Sequence, residues 1–403
     1  MMFEYWCLRV GYSEPNMKKL SLVFIPFLLC LAIDSTPAFS QDSLKVGALV
    51  PLAGRWGDAG RECTRGLLDA TRWINQQGGI FGKKLEMILI EDSAQPAEWM
   101  AAFRKLNEAD RILLLYIYAA ETGLALKPHI NLQRLPTFIS SFPASPSEAS
   151  KTSYLFSIAP TALDLTKIAM KFISERSEIK TRKPKVLFIS FSDPLLKHFW
   201  EEGKAFAKTL GLDMGPDLFI PDLASLKSSS LLLSPLKSFQ PDVVYLNMTS
   251  REAFALLQET RPMDLKTRWM SSMRAFDETL SPFEGVLGVQ PISPFGEDVP
   301  GMAEIKEAHQ RWHPYDSHTL SYVEGWVTVK VIAEGLGRSI PEHGFSRERV
   351  KMAFEGFRNV VVGGLLPPLT YTALDHRASV ESRIFIVKDG KLVRHSGFIS
   401  VGR

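Results

Sequence analysis

The chain has 403 residues, 45% of them hydrophobic, and its 47 basic and 44 acidic side chains leave a formal charge of +3. At about 150 residues per domain this is material for two to three packed cores. So even a balance, with no basic run, excludes a nucleic-acid-binding arm and gives no reason to expect a polyanion partner.

The first forty residues read as an export leader. From Met17 the chain carries Lys18 and Lys19, an apolar run from Leu20 to Ile33 and a small-residue site at Ala38-Phe39-Ser40, which together predict a secretory signal cleaved near Ser40. The run is shorter than the roughly 20 residues a membrane span needs, so export is expected rather than anchoring. Met17 is the better start on these grounds, with residues 1–16 as an upstream extension. Cys30 follows bulky residues where a lipidation site wants small ones. Cleavage would leave Cys63 as the one cysteine of the mature chain, expected to be a buried free thiol.

After Ser43, LKVGALV is a nearly continuous apolar run, the pattern of a strand covered on both faces in a parallel sheet. PLAGRWGDAG follows as a glycine-rich loop, and then Cys63, Leu67, Ala70 and Ile74 mark one stripe of a helix. Gly78 supplies its stop, and KLEMILIED resumes as a strand. The alternation continues with a helix near Glu98 to Ala109, RILLLYIY, a helix near Glu121 to Arg134 and LPTFISS. A second series opens at PKVLFISFS and runs through a helix from Leu195 to Leu210, DLFIP, a helix near Ser225 to Phe239, PDVVYLNM, a helix from Arg251 to Thr260 and TRWMSS. Two such series predict two α/β lobes with largely parallel sheets, whose ligands sit beyond the carboxyl ends of the strands. Helices near Ala303 to Trp312, Thr319 to Leu336 and Arg347 to Phe354 come next, and a hairpin turning at Asp389-Gly390 ends the chain.

LKVGALVPLAG, RGLLDATRWINQQGGIFGKKLEMILIEDSAQP, YVEGWVTVKVIAEGL, GGLLPPLTYTALDHR and FIVKDGKLV stand in an order and spacing that resemble the Leu/Ile/Val-binding family of periplasmic solute-binding proteins. INQQGGIFGKKLE is the most specific of these blocks, and together they cover the mature chain. The resemblance implies the type I periplasmic binding protein fold, with two Rossmann-like lobes joined by three hinge crossovers, placed near Pro160, Gln290 and Pro367. The first lobe would then comprise 44–160 plus 290–366, and the second 161–289 plus 367–403. It further implies a monomer in the periplasm that closes on a small-molecule ligand and serves an inner-membrane ABC permease, without metal or cofactor. A ligand-sensing or scaffold protein that offers the same fold to a signalling or enzyme partner is the alternative.

The family's pocket loops fall on YIYAAETG and ISSFPASP in the first lobe. Tyr118 stands where a serine is usual, and Phe142 and Ala144 where a small residue and a threonine are usual. Backbone N–H groups at Ala119 and Ala120, near a helix start, could still receive an anion. In the second lobe the family's aromatics fall on Pro194 or Leu195 and on Thr249, and the carboxylate that pairs with a ligand amine falls on Met273, beside Arg274. A buried ammonium without that counter-charge costs several kcal/mol, so a free amino acid is disfavoured. Trp56, Tyr118, Phe142, Thr249 and Arg274 suit a planar or apolar organic acid, with Arg274 positioned for a bidentate contact.

Other signals are discounted. His309, His313 and His318 lie close together, but Pro314 interrupts the run and no carboxylate completes a ligand pattern. Asp375-His376-Arg377 falls in the turn before the hairpin, where a structural role is expected. There is no G-x-S-x-G elbow, Walker loop or Cys-x-x-Cys, so no enzyme is expected.

Overall fold

The apolar run after Ser43 forms β1 (Leu44–Val50), buried along almost its whole length and paired in parallel with β2 (Leu85–Glu91) and β3 (Leu114–Ile117). β4 (Thr137–Ile139) and β5 (Leu155–Ser157) complete a five-stranded parallel sheet in the order β2-β1-β3-β4-β5. This computed structural model describes residues 43–93, 95–140, 154–176, 179, 181–191, 197–228, 233–339 and 344–403. The expected leader and the loop holding Phe142 and Ala144 lie outside the described residues, as do Pro194 and Leu195.

α1 (Gly57–Gln76), α2 (Pro96–Arg104) and α3 (Ala120–Leu132) connect these strands. The α1 stripe of Cys63, Leu67, Ala70 and Ile74 is buried as the periodicity requires. The return to β2 is made by left-handed residues at Gly78, Gly79, Phe81 and Gly82, with φ of 97°, 73°, 52° and 75°. A Cβ on Gly79 would collide with the Lys83 carbonyl, so this turn admits no side chain there. Asn75 holds the register by donating to the Leu85 carbonyl and accepting from its N–H, both at 2.8 Å.

The second sheet is built from β6 (Lys185–Phe191), β7 (Asp213–Met214), β8 (Leu218–Ile220), β9 (Val243–Asn247), β10 (Arg268–Ser271) and β11 (Leu287–Gln290), paired in parallel. β12 (Glu381–Lys388) adds antiparallel to β11, and β13 (Lys391–Arg394) and β14 (Ile399–Ser400) add to β12. α4 (Ala162–Arg176), α5 (Lys197–Thr209), α6 (Leu223–Ser228), α7 (Ser234–Phe239) and α8 (Ser250–Thr260) accompany this sheet. Of the helix expected from Ser225 to Phe239, the described residues give α6 and α7, and residues 229–232 lie outside the described residues. After β11 the chain returns to the first sheet with α9 (Met302–Trp312), α10 (Leu320–Arg338) and α11 (Arg347–Glu355). Among the described residues no helix is long and apolar enough to cross a membrane.

The last return to the second sheet comes later than expected. Pro367 was the expected crossover, but Tyr371 packs edge-on against Phe138 and Phe156 of the first lobe and donates to the Ser157 carbonyl at 2.8 Å. Ala378 is still held there by its N–H on Ser157 Oγ, so the chain leaves the first lobe between Ala378 and Glu381. Arg377, beside this point, pairs with Asp375 and with Asp164 of α4, all on side chains less than a fifth exposed. Asp375 and Arg377 of the discounted triplet are therefore part of the crossover's ion cluster.

One helix contact positions the functional cleft. α1 and α10 approach backbone to backbone, and a Cβ on Gly66 or Gly325 would collide with the carbonyls of Tyr322 and Cys63, respectively. The glycines lower helix propensity by about 1 kcal/mol each, and the close seam they allow fixes α10 and, with it, Glu324.

Candidate functional site

A cavity of about 270 Å³ lies at the carboxyl ends of the strands and is lined from both lobes. From the first lobe come Trp56 after β1, Tyr118 after β3 and Glu324 on α10; from the second come Thr249 after β9 and Met273, Arg274 and Glu278 after β10. Trp56, Tyr118, Thr249 and Arg274, picked from sequence alone, all border it. Ala119 and Ala120 are not among the described lining residues: Ala119 precedes α3 as its N-cap and Ala120 begins the helix, while the buried Tyr118 forms the wall. Met273 lines the cavity as a buried apolar side chain.

Arg274 is held by its surroundings with care. Its short 3-10 turn, Met273–Ala275, is tied to β9 by the Ser272 N–H on the Leu246 carbonyl at 2.7 Å. Gln290 donates to the Met273 and Phe276 carbonyls at 3.2 and 3.3 Å, and the Phe276 ring occupies the space a side chain on Gly288 would need. From this platform the guanidinium crosses to the first lobe. Nη1 donates to the Tyr118 hydroxyl at 2.7 Å and to Glu324 Oε2 at 2.9 Å, and Nη2 donates to Ser140 Oγ at 2.6 Å. Ser140 in turn donates to Glu324 Oε1, and the guanidinium lies 4.3 Å from the centre of the Tyr118 ring.

The electrostatics follow from this enclosure. Burial works against the Arg274 charge, but Glu324, through its charge and its hydrogen bond, outweighs it and holds the guanidinium above its ordinary pKa. Burial raises the Tyr118 hydroxyl well above its usual range, against the pull of Arg274, so Tyr118 is a neutral phenol. The sequence assigned Arg274 to a ligand carboxylate; here its charge already faces Glu324, while Nε and one Nη2 hydrogen have no acceptor among the described residues.

A second pair spans the lobes. Arg55, in the loop after β1, donates to both oxygens of Glu252 at 2.8 and 2.9 Å. Glu252 is the third residue of a capping box: it accepts from the Thr249 N–H at 2.8 Å, while Thr249 Oγ accepts from the Glu252 N–H at 3.3 Å. The Thr249 side chain is thus engaged first as a helix cap.

Glu278 was not singled out from sequence. Its Oε1 is buried with no hydrogen-bond partner among the described residues. Burial and then the neighbouring Asp277 push its carboxyl up to about 8, against the Leu320 N–H at the start of α10, which favours the charged form. Glu324 and Ser140 were also missed. A lone carboxylate inside the apolar run YVEGWVTVKV was the available signal for Glu324.

Cys63 is buried under α10 with its Sγ 3.6 Å from the Tyr116 hydroxyl, and burial raises its thiol pKa. The three histidines make aromatic and acidic contacts: His309 and His318 pack on Phe295, and His313 pairs with Asp69 at 2.8 Å.

Comparison with known proteins places this geometry. A sequence profile described as periplasmic binding protein matches residues 43–391. The Leu/Ile/Val-binding protein of Escherichia coli K12 is 25% identical over 284 residues, covering 69% of this chain and 71% of the relative. A branched-chain amino acid ABC transporter protein from Thermus thermophilus, solved with bound valine, superposes with a TM-score of 0.80 at 18% identity, covering 89% of this chain and 97% of that one. A solute-binding protein of an ABC transporter from R. palustris, solved in complex with benzoate, gives a TM-score of 0.71 at 16% identity, covering 88% and 95%.

Proposed function

This chain belongs to the periplasmic binding protein family, and from that premise we propose that it captures one small organic acid between its two lobes in the periplasm and delivers it, as a monomer, to an inner-membrane ABC permease. The observation that carries the ligand class is the cavity wall itself. It offers an arginine with two unspent N–H groups, the Tyr118 phenol and the Trp56 ring, and an apolar side chain at Met273, where the family resemblance puts the carboxylate that pairs with a ligand amine; Glu324 in the same wall is already taken by Arg274. The benzoate bound by the R. palustris protein supports an acid with a flat apolar body, whereas the valine of the Thermus thermophilus protein represents the class that Met273 disfavours. Closure of the lobes would bury the acid and present the closed form to the permease.

The test is thermal melting of the purified protein against aromatic and dicarboxylic acids, branched-chain and aromatic amino acids, and amides. A ligand at a hundredfold its dissociation constant stabilises by about 2.7 kcal/mol, a readily measured shift. A shift with an acid and none with leucine or valine is expected. A shift with leucine overturns the reading of Met273.

A second reading is favoured by the direct inter-lobe pairs, Arg274–Glu324 and Arg55–Glu252. Lobes that hold each other through their own side chains suit a sensor or scaffold that hands its closed form to a signalling or enzyme partner. Recovery of a permease by crosslinking supports transport, and recovery of a different partner supports this alternative.

A further inference from the structure

The charges around the cavity impose a condition on an acid that enters it. Arg274 is balanced by Glu324, and Arg55 by Glu252, so neither cation is left over for a second carboxylate. A ligand carboxylate beside Arg274 would make a buried group of two negative charges and one positive, with Asp277 and Glu278 in the same wall. Desolvating that surplus charge is unfavourable by several kcal/mol unless something neutralises it. Arg251, the remaining arginine of the lining, is exposed at the start of α8, where water screens its charge.

Glu278 is built to supply what is missing. It stands in the short 3-10 turn Glu278–Leu280, whose N-cap Asp277 spends one carboxylate oxygen on the Thr279 N–H at 2.8 Å. Facing Glu278 from α10 are Thr319 and Leu320, and from α1 comes Glu62, which accepts from Thr319 and pairs with Arg65. The charges that weigh most on Glu278 are Asp277 and Glu62, both negative, against backbone N–H groups that favour its ionised form, while on the β13 side it borders a second cavity with Lys391, Arg394, Glu297 and Asp298. A buried carboxyl in that setting keeps its proton, and its Oε1 has no partner to share it with.

We propose that capture is proton-coupled: Glu278 presents its carboxyl O–H to the carboxylate of the bound acid, and the two share one proton next to the Arg274–Glu324 pair. This rests on the organic-acid reading above and goes beyond it by fixing the charge at which the cleft fills. An acid–carboxylate hydrogen bond is of the strong, charge-assisted kind, and two carboxylates at one site cannot both stay ionised at low cost. Atom for atom, nothing is made or broken except this sharing. Below the Glu278 pKa of about 8 the proton is already present and binding takes up none; above it, each bound acid must draw one proton from solution.

The test is calorimetric titration of the full protein with benzoate from pH 6 to 9.5, each pH in two buffers of different ionisation enthalpy. Constant affinity up to about pH 7.5 is expected, then a fall approaching tenfold per pH unit, with uptake of one proton per benzoate at pH 9. Glu278→Gln keeps a donor that does not titrate, so its benzoate affinity should persist at pH 7 and lose the alkaline fall. Flat affinity with no proton uptake in the unaltered protein overturns the coupling and leaves the organic-acid reading standing. Binding of benzamide with no binding of benzoate at any pH overturns both. Independently of any ligand, the infrared carboxyl band of a protonated acid should be present at pH 7 and vanish in Glu278→Gln; its absence from the unaltered protein overturns the proposal by itself.

Discussion

Two ion pairs join the lobes at the cavity, and they share their chemistry but not their surroundings. Arg55 and Glu252 are 34% and 8% exposed as side chains, whereas Arg274 and Glu324 are 15% and 1% exposed. Water can replace Arg55 at Glu252, which also keeps its capping contact with the Thr249 N–H. At the inner pair, among the described side chains Ser140 alone is left to serve Glu324 as long as the lobes stay together. The weight of each pair is set by what would solvate the partner left behind, and the inner one should dominate closure.

The strongest way to break this comparison is Arg274→Ala. Removing one member of a buried pair is unfavourable by about 3 kcal/mol, the low end of the usual range because separated lobes let water reach Glu324. The loss should fall on the closed form and not on folding. Small-angle scattering is expected to report a larger radius, acid binding should vanish, and the melting temperature of the free protein should hardly move. An unchanged radius with unchanged acid affinity would remove the inner pair from both roles.

Gly325→Ala probes the same pair without touching a charge. A methyl at this point meets the Cys63 carbonyl, so α1 and α10 must separate, at about 1–3 kcal/mol in denaturant unfolding. Glu324, one residue away, would shift with the helix, and acid affinity should fall along with stability. Cys63 gives a second readout. In the unaltered protein a thiol reagent should label it only on unfolding, since it is fully buried with a raised thiol pKa. In Gly325→Ala labelling should be faster under native conditions. Rapid labelling of the unaltered protein would contradict the tight seam.

What the sequence revealed and what it hid divide along the same line. Local pattern was enough for β1 and β6, for the α1 stripe and for the final hairpin, whose Asp389 and Gly390 do adopt φ of 51° and 69°. Tyr118, Trp56, Thr249 and Arg274 were reached through loop positions shared with a known family. Their partners were not, because these contacts lie far apart in the chain: Glu324 is 50 residues from Arg274, Ser140 is 134 away, and Arg55 and Glu252 are separated by 197. No periodicity reports such a distance. The third crossover was missed for a related reason. The Pro367-Pro368 pair looks like a chain break, but Tyr371 and Ser157, from distant stretches, hold the next residues to the first lobe.

The outer pair sets the lower bound of the comparison. Arg55→Ala should weaken acid binding by about 1 kcal/mol or less, because Glu252 gains water where it loses the guanidinium. Its mark should be the salt dependence. A partly exposed pair is screened over about 8 Å at physiological ionic strength, so raising the salt should narrow the difference between Arg55→Ala and the unaltered protein, while leaving that of Arg274→Ala nearly intact. Affinity measured for all three at low and high salt decides the matter. If Arg55→Ala proves as damaging as Arg274→Ala, and equally indifferent to salt, then exposure is not what separates the two pairs, and the capping box at Thr249 must be transmitting the loss into α8.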